Sequence, residues 1–339
     1  MENKNLKLLF VGLGVIADEW LEALRQRDDI TIVGVVVRKN GDAAKEKLAS
    51  FGYESPVYTD FDTALAETKP DVVCDLAYAM QHREITLKSF AAGCSVFGEK
   101  PMCMTYEEGL ELLIAAKESG LAFNIMENRR YLKGTRALRH AVTSGLLGDV
   151  WNVCCELYVN SDLRSVRNTL PYPMLQDQAI HSFDTARFIL NANAVNVYCH
   201  SYNPKGSHYN GDGSGACIFG MSDGSVLTYN AVMDTNVMKT AWHSQWRVIG
   251  SKGTAFWNGF DALPQAELLQ DDGSIVKCEL EVPADWNGIE WFSGAIDEMI
   301  SSLREGREAD SSCFDNFESM KMMFGALRSA QSHRCEIIP

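Results

Sequence analysis

Along the first 126 residues, short apolar runs alternate with stretches in which apolar residues recur every three or four positions. The runs at 6–11, 30–37, 57–58, 71–77, 95–98 and 122–126 have strand length and are bounded by turn residues. The segments between them, 16–25, 42–51, 61–67, 84–92 and 106–119, carry helical spacing. This rhythm predicts an α/β, Rossmann-type, doubly wound parallel sheet covered by helices on both faces. After about residue 127 the pattern changes. Strand-like segments at 150–158, 195–202, 216–221, 225–231, 246–249 and 254–257 follow one another through Gly, Asn and Asp turns. Helical segments are fewer, at 134–144, 176–190, 291–303 and 316–329. An α+β domain with a large, mainly antiparallel open sheet is expected there. The division is therefore 1–127 for a dinucleotide-binding domain and 128–339 for a substrate-binding and oligomerisation domain.

A chain of 339 residues is long enough for two such cores. Its net charge of −14 argues against nucleic acid or an anionic membrane surface as partner. No apolar stretch reaches the ~18–20 residues that span a bilayer, and the polar start at 1–7 lacks a signal-peptide core. A soluble, cytoplasmic protein is expected. The ten cysteines form no C-x-x-C pair and read as reduced, mostly buried small hydrophobes. The histidines show no metal-ligand spacing, so no metal is expected.

Three places carry chemistry. The turn Gly12-x-Gly14-x-x-Ala17 follows the first strand and opens a helix. The first glycine permits the tight turn, the second lets backbone approach a pyrophosphate, and a small third residue lets helix pack on strand. The helix N-terminus then offers N–H groups to phosphate; a plain β-α turn is the alternative. Glu99-Lys100-Pro101 follows the run at 95–98, which puts an amine at the sheet edge where ligands bind. Lys100 could stabilise a developing alkoxide or relay a proton, or be a solvated surface lysine. Asp177 and His181 stand four apart on an expected helix, with Asp184 three further on. A histidine can take and return a proton near pH 7; the alternative is an exposed polar stripe. Asp75 is unusual within an otherwise apolar strand. Asn160, Arg164, Arg167, Tyr172 and Trp242 have side chains suited to a carbohydrate, and, with Asp177, are candidates to line a substrate pocket.

These motifs together resemble the Gfo/Idh/MocA family of sugar and polyol oxidoreductases over nearly the whole length. The resemblance rests on Gly12-Leu13-Gly14-Val15-Ile16-Ala17, Glu99-Lys100-Pro101 with Ala91-Ala92-Gly93 before it, Asn128-Arg129-Arg130-Tyr131, Gly145-Leu146-Leu147-Gly148, the D-x-x-x-H-x-x-D element at 177–184, and Gly250-Ser251-Lys252-Gly253-Thr254. It implies hydride transfer between a nicotinamide cofactor and a sugar, polyol or glycoside hydroxyl or keto group. It assigns Lys100, Asp177 and His181 to the catalytic centre, with His181 favoured as the base and Lys100 assisting. It places the cofactor at Gly12, Gly14, Val15, Ile16, Arg38, Lys39, Ala77, His82, Glu99, Lys100 and Asn128. It also implies a homo-oligomer, a dimer or tetramer, associating through the open sheet. The chain departs from the family pattern at Ala77-Tyr78, where Thr-Pro is common, but keeps His82. Val37 stands where the family often has the aspartate that holds the ribose 2′-hydroxyl, and Arg38 and Lys39 follow. Loss of that carboxylate and gain of an arginine favour NADP(H) over NAD(H). Two other outcomes fit the same motifs: a glycosidase that uses transient oxidation with bound NAD, and a non-enzymatic dinucleotide-binding regulator. A regulator has no need of Lys100, Asp177 and His181 together.

Overall fold

The computed structural model describes residues 5–39, 41–160 and 169–339. The chain divides into two compact units: Met1–Asn128 with Ile289–Phe317, and Arg129–Gly288 with Glu318–Pro339.

The first unit holds β1 (Leu6–Val11), α1 (Ala17–Leu24), β2 (Ile30–Val36), α2 (Gly41–Ser50), β3 (Val57–Tyr58), α3 (Phe61–Thr68), β4 (Val72–Asp75), α4 (Ala79–Ala91), β5 (Ser95–Gly98), α5 (Tyr106–Ser119) and β6 (Phe123–Ile125). The six strands form one parallel sheet in the order β3-β2-β1-β4-β5-β6. The order reverses between β1 and β4, which makes their carboxyl ends the switch point where such sheets bind ligands. Every residue of β4 and β5 is buried, as continuous apolar runs in a covered parallel sheet require. Helix ends are set by local chemistry. Thr105 accepts a hydrogen bond from the Glu108 N–H at 3.2 Å, the Glu108 carboxylate accepts from the Met104 N–H at 2.9 Å, and Gly120 closes α5 in the left-handed region. Helix α4 begins five residues before the expected start at 84. Its first residues follow Tyr78, whose side chain makes no capping bond, so no start signal is written there.

The second unit holds α6 (Lys133–Thr143), β7 (Val150–Tyr158), α7 (Ile180–Leu190), β8 (Ala194–Tyr202), β9 (Ser214–Met221), β10 (Val226–Val232), β11 (Gln245–Gly250), β12 (Gly253–Trp257), β13 (Gln265–Leu269) and β14 (Ile275–Glu279). Helix α8 (Trp291–Glu305) follows, then α9 (Cys313–Ser332) and β15 (Glu336–Ile337). The nine-stranded sheet runs β14-β13-β12-β11-β7-β10-β9-β8-β15, antiparallel except for the β10–β7 pair. Alternate residues of β7 and β10 are buried, so one face is covered. Strand β13 buries only Ala266 of its five residues, β14 and β15 bury none, and the three were not expected from the sequence. The glycine-rich stretch at 205–215, whose composition reads as a flexible loop, is tied down. Gly211 lies where a Cβ would meet the Leu170 and Pro171 carbonyls at 2.3 Å, and Ser201 Oγ donates to Asp212 at 2.6 Å. Among the described residues, no helix is long and apolar enough to cross a membrane.

Residues 289–317 pack with the first unit rather than with the second, to which the sequence reading assigned them. Charge pairs hold α8 there. Arg27 reaches Asp297 at 2.8 Å and Asp29 at 2.7 Å, and Arg304 reaches Asp29 at 2.5 Å. The Arg27 hydrogen bond, opposed by burial and aided by Arg304, lowers the Asp29 carboxyl to about 2. Asp29→Asn is therefore expected to lower stability at pH 7 by about 1–2 kcal/mol. Because the folded-state value lies below the ordinary carboxylate value, this contribution is complete above about pH 4 and fades as pH falls toward 2. Denaturant titrations of wild type and variant across pH 7 to 2 should show the gap closing in that window; a pH-independent gap contradicts the ion-pair account.

Candidate active site

In the first unit the site starts from Gly12. It follows β1 directly, its N–H donates to the Val36 carbonyl at 2.9 Å, and its φ is +94°. A Cβ there would lie 2.7 Å from the Leu76 carbonyl oxygen. Only glycine meets both demands. Gly14 differs: a Cβ there would meet nothing within 4 Å. The chain thus leaves open space over Gly14, next to the N-terminus of α1, which is the arrangement a pyrophosphate needs. Val15 is 86% exposed and Ile16 half-buried beside it, while Ala17 is fully buried against the sheet. Asp18 would repel a phosphate, but Lys47 on α2 meets its carboxylate at 2.6 Å and donates to the Gly14 carbonyl at 2.7 Å.

At the end of β2, Leu13, Val37, Arg38 and Lys39 line a cavity of about 430 Å³. The structure thus joins the glycine turn to the two cations named as cofactor contacts. The Arg38 guanidinium stands 5.3 Å from the centre of the Tyr78 ring. Asp75 lies three residues before Tyr78, at the end of β4. Its carboxylate, 1% exposed, is 2.8 Å from His82 Nδ1 and accepts from the Ala77 N–H at 3.1 Å. It ends β4 and fixes the turn that carries Ala77. Burial opposes charge on His82, but the charge and hydrogen bond of Asp75, with Glu99 beyond, outweigh it and raise its pKa. His82, expected as a cofactor contact, is thus an interior partner of Asp75, 2% exposed.

Glu99 is 7% exposed; it accepts from Trp20 Nε1 on α1 at 2.8 Å and from the Lys100 N–H at 3.3 Å. Burial raises its pKa against the pull of Trp20, Lys100 and His82. Lys100 is half-buried, and its bond to Pro101 is cis. Asn128, 5% exposed, opens a short 3-10 turn at Asn128–Tyr131 that begins at the end of this unit.

In the second unit, Met174–Ala179 form a π turn that runs into α7. Asp177 therefore lies on π geometry and His181 on α geometry, so their spacing of four does not stack them as in a regular helix. The exposed-stripe alternative fails. Asp177 is 8% exposed and accepts from Gln178 Nε2 at 2.9 Å. Asp184 is 1% exposed and gripped by Arg130 Nε at 2.7 Å, by a second Arg130 nitrogen at 2.5 Å, and by Ser319 Oγ at 2.7 Å. Asp184 is thus an anchor of α7, and His181 is its least buried residue.

Ser182 Oγ lies 3.1 Å from Ser244 Oγ, which sets the 241–244 turn against α7. That turn carries Trp242, 40% exposed, and His243. Burial, aided by the Arg129 charge, lowers His243 to about 4, so it is neutral at pH 7. The Tyr172 N–H donates to Gln176 Oε1 at 3.1 Å, at the entry to the π turn. Asn160 is held elsewhere, donating to Asn236 Oδ1 at 2.5 Å. Arg164 and Arg167 lie outside the described residues. Sequence reasoning missed Trp20, Lys47 and His243 and named Tyr78 only as a departure from the family pattern; a carboxylate in an apolar strand seven residues before a histidine was the one available signal for the Asp75–His82 pair.

The chain is similar in sequence and fold to known proteins. The family described as an oxidoreductase family with an NAD-binding Rossmann fold matches residues 6–126, and the Gfo/Idh/MocA C-terminal domain matches residues 135–256. The chain belongs to the Gfo/Idh/MocA family. It is 28% identical over 220 residues to the D-glucoside 3-dehydrogenase of Escherichia coli and 30% identical over 191 residues to the 1,5-anhydro-D-fructose reductase of Ensifer adhaerens. Those matches cover 61% and 53% of this chain and 60% and 55% of the relatives' lengths. The fold is shared with an oxidoreductase from Agrobacterium radiobacter solved with NAD+, L-tartaric acid and magnesium: TM-score 0.87, 18% identity, 99% of each chain covered.

The glycine turn generates a direct test. Because a Cβ on Gly14 meets no neighbour, Gly14→Val should fold as the wild type does. Its side chain would occupy the pyrophosphate space, so dinucleotide affinity should fall at least about tenfold. A binding titration with matched thermal melts checks this; equal affinity puts the dinucleotide elsewhere.

Proposed function

We propose that this protein is an NAD(P)-dependent oxidoreductase that acts on a hydroxyl group, or the corresponding ketone, of a sugar, polyol or glycoside. The carrying observation is the opening at the carboxyl end of the parallel sheet. There Gly12 has no room for a side chain, Gly14 has nothing above it, and Leu13, Arg38 and Lys39 line one cavity. These residues fit a nicotinamide dinucleotide, whose ring, when bound, supplies the hydride acceptor or donor. The two dehydrogenase and reductase relatives act on sugar derivatives and support that substrate class.

Each polar residue has a role in this reading. His181, the least buried side chain of α7, takes the hydroxyl proton in oxidation and returns it in reduction. Asp177, held by Gln178, orients substrate hydroxyls. Lys100 stabilises the developing alkoxide, with its backbone fixed by the Glu99 carboxylate. Glu99, bonded to Trp20, ties the Lys100 turn to the helix that follows the glycine turn. Trp242 and Tyr172 supply apolar faces for a sugar ring. The proposal includes a cytoplasmic homo-oligomer, a dimer or tetramer, for which exposed Tyr198, Tyr202 and Ile218 on β8 and β9 supply apolar surface.

NADP(H) is the favoured cofactor. No carboxylate ends β2, and two cations line the cavity there. Dissociation constants at low salt should be smaller for NADPH than for NADH; the reverse order overturns the preference and leaves the oxidoreductase reading standing. On any substrate that supports turnover, Lys100→Ala and His181→Ala should each lower kcat by about 10²–10⁴-fold with the fold retained. Near-wild-type kcat in both variants contradicts the assigned roles.

A further inference from the structure

Arg38 and Tyr78 come from opposite sides of the glycine turn. Arg38 lies two residues beyond β2, and Tyr78 caps α4 three residues beyond β4; in the sheet these strands flank β1. The two side chains therefore meet across the end of β1, with the guanidinium 5.3 Å from the ring centre. Tyr78 is 56% exposed, so its ring is not there to fill the core. Its backbone is held from below, because Asp75 grips the preceding Ala77 N–H at 3.1 Å and is itself locked to His82.

A guanidinium stacks through its face and donates hydrogen bonds through its edge. Contact with Tyr78 thus restrains Arg38 while leaving its edge donors available in the cavity that Leu13, Val37 and Lys39 also line. A phosphate ester bound there meets an arginine already in place, with Lys39 adding a second positive charge. We propose that Tyr78 is a specificity-determining residue of the dinucleotide site. It holds Arg38 by the face so that the edge engages the 2′-phosphate of NADP(H). This rests on the NADP(H) reading above and assigns the discrimination to a pair rather than to Arg38 alone.

The test compares dissociation constants for NADPH and NADH in wild type, Tyr78→Phe, Tyr78→Ala, Arg38→Ala and the double variant, all checked for unchanged thermal melts. Tyr78→Ala should weaken NADPH by roughly 2–5-fold and leave NADH within error. Tyr78→Phe, which keeps the ring, should retain wild-type discrimination. In the Arg38→Ala background, Tyr78→Ala should change NADPH affinity less than about 1.5-fold, since the two act as one unit. If Arg38→Ala lowers the NADPH preference but Tyr78→Ala leaves it unmoved, or weakens both cofactors equally, the role of Tyr78 is overturned alone. If the wild type binds NADH more tightly and Arg38→Ala does not change the ratio, the NADP(H) reading falls and this inference falls with it.

Discussion

The first unit is organised by one steric constraint, the approach of the Gly12 backbone to the Leu76 carbonyl. The end of β1 passes so near the end of β4 that a Cβ on Gly12 would stand 2.7 Å from that oxygen. A side chain would also have to adopt φ near +94°, which costs roughly 1–2 kcal/mol before any clash. This contact sets the floor of the crevice. It fixes where Gly14 leaves open space and where α1 presents its N-terminus. It also brings the residues after β2 and β4 close enough for Arg38 to reach Tyr78.

Beneath that floor the chain buries a polar group of unusual cost. Asp75, His82 and Glu99 are each less than a tenth exposed. Buried charges persist only when paired and hydrogen-bonded. Asp75 bonds His82 and the Ala77 N–H, while Glu99 bonds Trp20 and the Lys100 N–H. The bonds run outward to the two backbone turns that carry Tyr78 and Lys100. The interior polarity thus fixes the backbone positions of Ala77 and Lys100. In the second unit Asp184 acts alike: gripped by Arg130 and Ser319, it anchors the helix that carries His181.

Much of this was legible in the sequence where one physical rule governs. Strands β3 and β7 and helix α5 end where turn residues and caps place them. The glycine turn was legible because its spacing reflects a steric demand. What escaped depends on tertiary context. Strands β13 and β14 are mostly exposed, and the alternation of β13 spans only four residues; they exist through pairing with β12 and each other. The placement of 289–317 depends on ion pairs to Arg27 and Asp29 more than 260 positions away. The π turn at Met174–Ala179 has no local signature, so Asp177 and His181 were set on one regular face that the backbone does not provide. Asp75 was visible as an anomaly, but only the fold brings His82 and Ala77 to it. Lys100, Asp177 and His181 were named through resemblance, since spacing alone favoured solvated surface charges.

In the proposed function the chain oxidises a carbohydrate hydroxyl group, or reduces the corresponding ketone, with a nicotinamide cofactor. The most direct measurement incubates the purified protein with NADP+ and NAD+ against a panel of sugars, polyols and glycosides. Reduced-nicotinamide absorbance and the carbonyl product are followed together. The account predicts that at least one compound yields both in equal amounts. Dinucleotide binding with no reduction of cofactor by any member of the panel, or glycoside hydrolysis with no net reduction, would contradict it.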